Sequence, residues 1–316
     1  MSGVLFNSSR PLGRCENVTA VWDAYDGPKR FGQVGFGDVS RFPQRVVVTD
    51  EFVRSKRHDQ TIVMVEHGIT GGKLYGVAQP HGVYTPETCG LTDYYVVTSE
   101  QTREIGAASA GIPVGRVLPL GLPRTDAYHG KRRGDGGTFL AGFVRAYLYV
   151  PTFRASWEPP APEIDWAALD AQMGDDEILV VKRHMATGRP MLGGSYAHVL
   201  EVDCSEPSTP YLIDCDVVVT DYSSILFDGY MLGKPSVLMA EPADVAAYME
   251  ARGMSYTFPS EYGHVVCRST DAMVLSARTA ALDGMGRVEC ACLQRTASAC
   301  DGRATERVVE LVRGLL

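Results

Sequence analysis

The chain has 316 residues, 45% of them hydrophobic and 22% charged, which is enough apolar material for a real core and suits two domains of about 150 residues better than one. Its formal net charge of −8 disfavours broad capture of nucleic acid or anionic lipid, although a local basic patch can survive within that balance. No stretch approaches the ~20 uninterrupted apolar residues of a membrane span, and MSGVLFNSSRPLGR lacks the apolar core of a signal peptide, so the cytoplasm is the expected compartment.

In chain order, RVVVTD (45–50), TIVMVEHG (61–68), DYYVVTSE (93–100) and GRVLPLGLPR (115–124) read as short buried strands that end in polar residues. The run GKRRGDGG (130–137) is Gly- and charge-rich, which marks a linker or a solvated loop. The strand pattern resumes with AYLYVPTFR (146–154), EILVVKRH (177–184), DVVVTD (216–221) and KPSVLMA (234–240). Helices are expected between them in DWAALDAQM, SSILFDGYMLG and DVAAYMEARG, and ATERVVELVRGLL is an amphipathic closing segment. This alternation predicts an α/β protein of two Rossmann-like halves, 1–137 and 138–300, whose parallel sheets face a central cleft, with 301–316 a helix packing back toward the first half. Eight cysteines are scattered and read as reduced thiols. Cys290, Cys292 and Cys300 cluster, but no histidine lies near them and positions 290 and 292 fall on different faces of a helix, so zinc is not expected.

In parallel sheets ligands bind beyond the carboxyl ends of strands, so the strand-terminal residues carry the functional reading. In VVVTDYSSILFDGYMLG (217–233) an apolar strand stops at an acid and two serines before a helical pattern begins. Backbone N–H groups near Ser223, Ser224 and Ile225 would lack helical partners there, beside two hydroxyls, which suits a phosphate. The competing reading is that Asp221 or Ser223 merely caps the helix. His67 follows one strand and His184 another in the opposite half, and both can serve as base, acid or phosphate-binding cation near neutral pH. His81 competes with His67, which is preferred because it directly follows a strand. Asp214-Cys215-Asp216 resembles a metal-binding Asp-x-Asp but precedes its strand instead of ending it, so no metal is expected.

These segments, taken in order, resemble the CDP-glycerol glycerophosphotransferases that build teichoic acids and related capsule polymers. VEHGITGGKLYG is similar to that family's His-Gly segment, LGLPRTDAY to its Gly-x-Pro-Arg-x-Asp, YLYVPTFR to its Tyr-x-Pro-Thr-x-Arg strand and VVKRH to its Lys-x-His. CDVVVTDYSSILFDGYMLGKPSVLM resembles its longest signature and CDGRATERVVELV its C-terminal segment; the likeness covers residues ~60 to 316. Met185 departs from the family's usual proline, and Glu66 from the aromatic that commonly precedes His-Gly.

The resemblance implies a GT-B fold with an acceptor-side N-terminal domain and a nucleotide-donor C-terminal domain. The reaction it implies is transfer of a polyol phosphate, glycerol phosphate or similar, from a CDP-linked donor to a hydroxyl acceptor, polyol phosphate or saccharide, with release of CMP and no cofactor. Carried over, His67 is the base and His184 binds donor phosphates. Thr220, Ser223, Ser224, Asp228, Lys182, Arg154 and Arg124 are the further donor and phosphate candidates, with a structural ion pair to Asp126 or another acid as the alternative for the two arginines. A GT-B glycosyltransferase, a sugar-nucleotide epimerase and a degenerate nucleotide-binding module remain the alternative readings. The resemblance also allows peripheral placement at the inner membrane face.

Overall fold

Among the described residues every strand pair in the two sheets is parallel. The structure is a computed structural model that describes residues 3–66, 68, 84–152, 163–184, 187, 190–221, 223–239 and 266–316. It divides into two units, one of Met1–His129 with Gln294–Leu316 and the other running from Gly130 to Leu293.

The first unit holds β1 (Val4–Asn7), β2 (Lys29–Gly32), β3 (Val46–Thr49), β4 (Thr61–Val65), β5 (Tyr94–Val96) and β6 (Val117–Leu118) in the order β2-β1-β3-β4-β5-β6. VLFN and VVVT are buried along their whole length, the continuous apolar run expected of a parallel strand covered on both faces. Helices α1 (Glu16–Ala24), α2 (Pro86–Cys89) and α3 (Glu100–Ala110) connect the strands. The start of α3 is fixed by a reciprocal capping box between Ser99 and Thr102, and its end by Gly111 at φ +67.

The C-terminal helix Ala304–Gly314 belongs to this unit. It buries Ala304, Val308, Val309 and Val312 and packs against α1 and the 3-10 turn Pro123–Tyr128. Its start is capped from outside the helix, since the Asp126 carboxylate accepts from Ala304 N (3.0 Å) and Thr305 N (2.7 Å). Gly121, at φ +86, lies so near the Ala299 carbonyl that an added Cβ would come within 2.2 Å of it.

The second unit holds β7 (Arg145–Tyr149), β8 (Glu177–Val181), β9 (Val199–Glu201), β10 (Val217–Thr220), β11 (Ser236–Met239) and β12 (Val266–Cys267), ordered β12-β11-β10-β7-β8-β9. Strand alternation splits its core: Tyr147, Tyr149 and Val219 pack on one face with Leu169 and Met273, whereas Leu148, Val150 and Val218 pack on the other with Leu212. Helices α4 (Trp166–Gln172), α5 (Thr209–Asp214), α6 (Ile225–Met231) and Thr270–Asp283 complete the layers. The run 130–137 belongs to this unit and is tied down by Asp214, whose carboxylate accepts from the N–H groups of Gly134, Gly136 and Thr138 and from the Thr138 hydroxyl. Arg133 in the same run donates to the carbonyls of Asp214, Val144, Leu140 and Phe143.

One expected strand is mostly absent. In GRVLPLGLPR only Val117–Leu118 pairs, flanked by 3-10 turns at Val114–Arg116 and Pro123–Tyr128. Pro119 and Pro123 have no N–H for a ladder, and Gly121 takes a left-handed conformation. The expected helix DVAAYMEARG lies outside the described residues.

At the start of β8 the buried Glu177 accepts from the Arg278 guanidinium, the Tyr147 hydroxyl (2.8 Å) and the Gly174 N–H (2.9 Å). The Arg278 bonds, ahead of the other donors, bring this carboxyl down to about 2 despite burial. A depressed carboxylate pKa contributes stability that is present above the ordinary value and lost as pH falls toward the folded one. Arg278→Ala should therefore lower stability by about 2 kcal/mol at neutral pH in urea unfolding. The gap to the native chain should narrow between about pH 4.5 and 2. An equal gap at pH 7 and pH 2.5 would refute the assignment.

Candidate functional site at the strand-order reversal

In the second unit the chain builds outward from β7, first through β8 and β9 on one side, then through β10, β11 and β12 on the other. The order reverses between β7 and β10, and the crevice beyond the carboxyl ends of those two strands is where a doubly wound sheet binds ligands. The segments that follow the two strands are Val150–Thr152 and Asp221–Ser224. The apolar strands thus deliver the two most distinctive motifs of this half to one place.

Hydrogen bonds fix that junction. Thr220 is fully buried and its hydroxyl donates to the Val150 carbonyl at 2.6 Å. Asp221, also fully buried, accepts from the Thr152 N–H (3.0 Å) and hydroxyl (2.7 Å). Ser223 and Ser224 follow, half-buried, and their carbonyls accept from Leu226 N and Phe227 N at 3.2 Å each as α6 begins. The Ser224 side chain makes no capping bond to the helix. With seven residues α6 has a modest macrodipole, so the anion-binding capacity of this turn rests on its hydroxyls and N–H groups. Asp228 sits inside α6 with 3% of its surface exposed.

The neighbouring strand β8 leads into Lys182, Arg183 and His184. Lys182 is buried, which lowers its pKa, and its ammonium donates to the Cys204 carbonyl at 3.1 Å. Arg183 pairs with Glu201 (2.6 Å), which also accepts from Met191 N and Leu192 N. His184 is exposed. Thr220, Ser223, Ser224, Asp228 and Lys182 therefore belong to one unit, as does His184, with the strand-end residues on the same edge of its sheet.

Arg124 belongs to the first unit, where it donates to the Tyr128 hydroxyl (2.6 Å) and lies 3.8 Å from Glu16. Those contacts correspond to the structural alternative weighed for it, with Glu16 as the acid. His67, His81 and Arg154 lie outside the described residues. The Asp214 and Asp216 carboxylates hold backbone. Burial raises Asp214, yet the donors of Thr138, Gly136 and Gly134 outweigh it and leave the group below the usual range, while Asp216 accepts from Ala146 N (2.8 Å) and pairs with Arg133 (3.2 Å). Sequence reasoning quoted Thr152 within Tyr-x-Pro-Thr-x-Arg but gave it no role. Its signal was positional, a hydroxyl just past the strand that pairs in register with β10, where Tyr149 lies opposite Val219.

Comparison with known proteins follows the same segments. Residues 43–314 match the family described as CDP-glycerol:poly(glycerophosphate) glycerophosphotransferase. A teichoic acid glycerol-phosphate primase of Bacillus subtilis is 25% identical over 257 residues, covering 75% of this chain and 66% of that protein. A teichoic acid ribitol-phosphate primase of Bacillus spizizenii is 24% identical over 298 residues, covering 86% of this chain and 75% of its own length. The wall teichoic acid polymerase TagF superposes with a TM-score of 0.75 at 17% identity, over 99% of this chain and 88% of that one, which supports the GT-B fold of paired Rossmann-like units.

The Thr152–Asp221 contact makes a direct test of how the crevice is held. Asp221→Ala leaves a buried N–H and hydroxyl without their acceptor and should lower unfolding stability by about 2 kcal/mol, whereas Thr152→Ser, which keeps both donors, should cost less than about 1. Urea midpoints that rank the two variants the other way would contradict the geometry.

Proposed function

The chain belongs to the CDP-glycerol:poly(glycerophosphate) glycerophosphotransferase family, and on that premise we propose that it transfers a polyol phosphate from a CDP-linked donor to an acceptor hydroxyl, releasing CMP. The observation that supports this most is the pair of half-buried serines, Ser223 and Ser224, at the strand-order reversal of a nucleotide-binding type of sheet. The family match favours this transferase over the epimerase and the degenerate binding module.

In the proposed reaction the acceptor oxygen attacks the polyol-bearing phosphorus, the P–O bond to CMP breaks, and the acceptor proton passes to a base. His67, which follows β4 in sequence, is proposed as that base. The serine hydroxyls and the N–H groups beside them take the pyrophosphate oxygens, and the exposed His184 adds a cation as charge develops on CMP. Asp228 and Thr220 shape the turn from beneath, and Arg154 remains a phosphate candidate. Lys182 contributes positive potential while its ammonium stays on Cys204. Arg124 is assigned a structural role because Tyr128 and Glu16 engage it. The acceptor is proposed to be a polyol phosphate or a saccharide. No helix among the described residues is long and apolar enough to cross a membrane; peripheral placement at the inner membrane face is proposed for reaching a membrane-borne acceptor.

The proposal is tested by CMP release from CDP-glycerol and CDP-ribitol against a panel of UDP-sugars; release of UDP alone would overturn it. Replacing both Ser223 and Ser224 with alanine should weaken CDP-donor binding by about 1 to 3 kcal/mol in calorimetry. Unchanged affinity would leave the serines without a phosphate role.

Turnover should also persist in EDTA. Magnesium commonly offsets pyrophosphate charge where carboxylates converge on it, but here Asp221 already accepts two bonds from Thr152 and the Asp214–Asp216 pair holds backbone. Loss of activity in EDTA that magnesium or manganese restores would show that acids of this segment bind a metal.

A further inference from the structure

The first unit has a reversal point of its own. Its order β2-β1-β3-β4-β5-β6 turns between β1 and β3, which are in register with Asn7 opposite Thr49. The next residues along the two strands are Ser8 and Asp50, then Ser9 and Glu51, and they pair in the same sequence. The Ser8 hydroxyl donates to Asp50 Oδ2 (3.1 Å) and the Ser9 hydroxyl to Glu51 Oε1 (2.7 Å).

Each carboxylate is therefore held by one oxygen. The other oxygens, Asp50 Oδ1 and Glu51 Oε2, are shielded from solvent and have no hydrogen-bond partner among the described residues. Asp50 as a whole is 4% exposed. A buried acceptor without a donor costs about 1–3 kcal/mol, so two on adjacent residues at the ligand edge of a sheet call for a donor from elsewhere. Glycine at position 35 is what makes room for the Glu51 carboxylate here. Asn7 accepts from Val34 N and Gly35 N and donates to the Gly35 carbonyl. That turn puts Gly35, at φ +49, against Glu51, where a Cβ would come within 2.4 Å of Oε2.

We propose that Asp50 Oδ1 and Glu51 Oε2 accept hydrogen bonds from neighbouring hydroxyl groups of the polyol acceptor. The assignment rests on the transferase reading above and supplies the acceptor recognition that reading lacks. Two adjacent carboxylates repel the phosphates of donor and acceptor but match a polyol's hydroxyl donors. Burial pushes the Asp50 carboxyl up to about 6, with Glu51 adding to the rise and Ser8 and Arg10 opposing it.

The test uses glycerol as the probe, with 1-propanol as a control, in ligand-observed NMR on the full chain, followed by steady-state transfer to glycerol with CDP-glycerol as donor. Glycerol should give a saturation-transfer signal that 1-propanol does not, and Asp50→Asn and Glu51→Gln should each abolish it. In turnover each variant should raise the acceptor KM at least tenfold while leaving the donor KM and the acceptor-free release of CMP unchanged. Both variants keep an oxygen for their serine, so the fold should persist by circular dichroism; should one fail to fold, the other decides. An unchanged glycerol signal, a donor KM that rises in parallel, or calcium in place of glycerol as the Asp50-dependent ligand would overturn the proposal. Should no CDP-linked donor be turned over, the NMR arm still decides whether this site binds hydroxyls.

Discussion

Parallel pairing is the constraint from which the rest of the molecule follows. A strand that must lie parallel to its neighbour cannot return by a hairpin, so the chain crosses back over a face of the sheet and every strand ends on the same edge. Residues far apart in sequence but alike in position, such as Thr152 and Asp221, are thereby set side by side. A helix on each face also leaves no wet side, which is why β3, β8 and β10 read as continuous apolar runs and not as alternating ones. Polar chemistry is confined to the ends, where the backbone changes direction and its N–H groups need acceptors.

Those acceptors are mostly aspartates. Asp126, Asp214, Asp216 and Asp221 each receive backbone N–H groups from a segment distant in sequence. The acidic balance of the chain is thus spent partly inside the fold, as staples between loops and sheet ends. This also explains why Asp214-Cys215-Asp216, which looks like a metal motif on paper, reads as architecture once folded: its two carboxylates serve the 134–138 turn and the start of β7.

The central strands were legible in the sequence because length, β-branching and a polar terminator coincide in RVVVTD, EILVVKRH and DVVVTD. The four-residue β1, although central, and three flanking strands were not. β2 is the exposed-to-buried tetrapeptide KRFG, and β9 and β12 contribute three and two residues, too short for a periodicity to register. The serine turn after β10 was legible because it interrupts an apolar run, whereas Thr152 and Ser8 are common residue types whose placement depends on which strands become neighbours. Asp50 was visible as a strand terminator, but its unmet oxygen is a property of packing. Arg124 shows the converse, a residue conspicuous in its motif whose guanidinium the fold turns toward Tyr128 and Glu16.

The capping of the C-terminal helix by Asp126 bears on how the chain is made. The contact spans 178 residues of sequence, and the apolar face it secures, Val308, Val309 and Val312, packs against α1 near the other end of the chain. A ribosome working at about 5–20 residues per second delivers that helix roughly 10 to 40 seconds after Asp126. Throughout that interval the first unit lacks a wall, and the strands of the second unit's sheet are all synthesised within it. The order of completion is therefore inverted relative to the order of translation, and the nascent first unit keeps its α1 face uncovered until the last helix emerges.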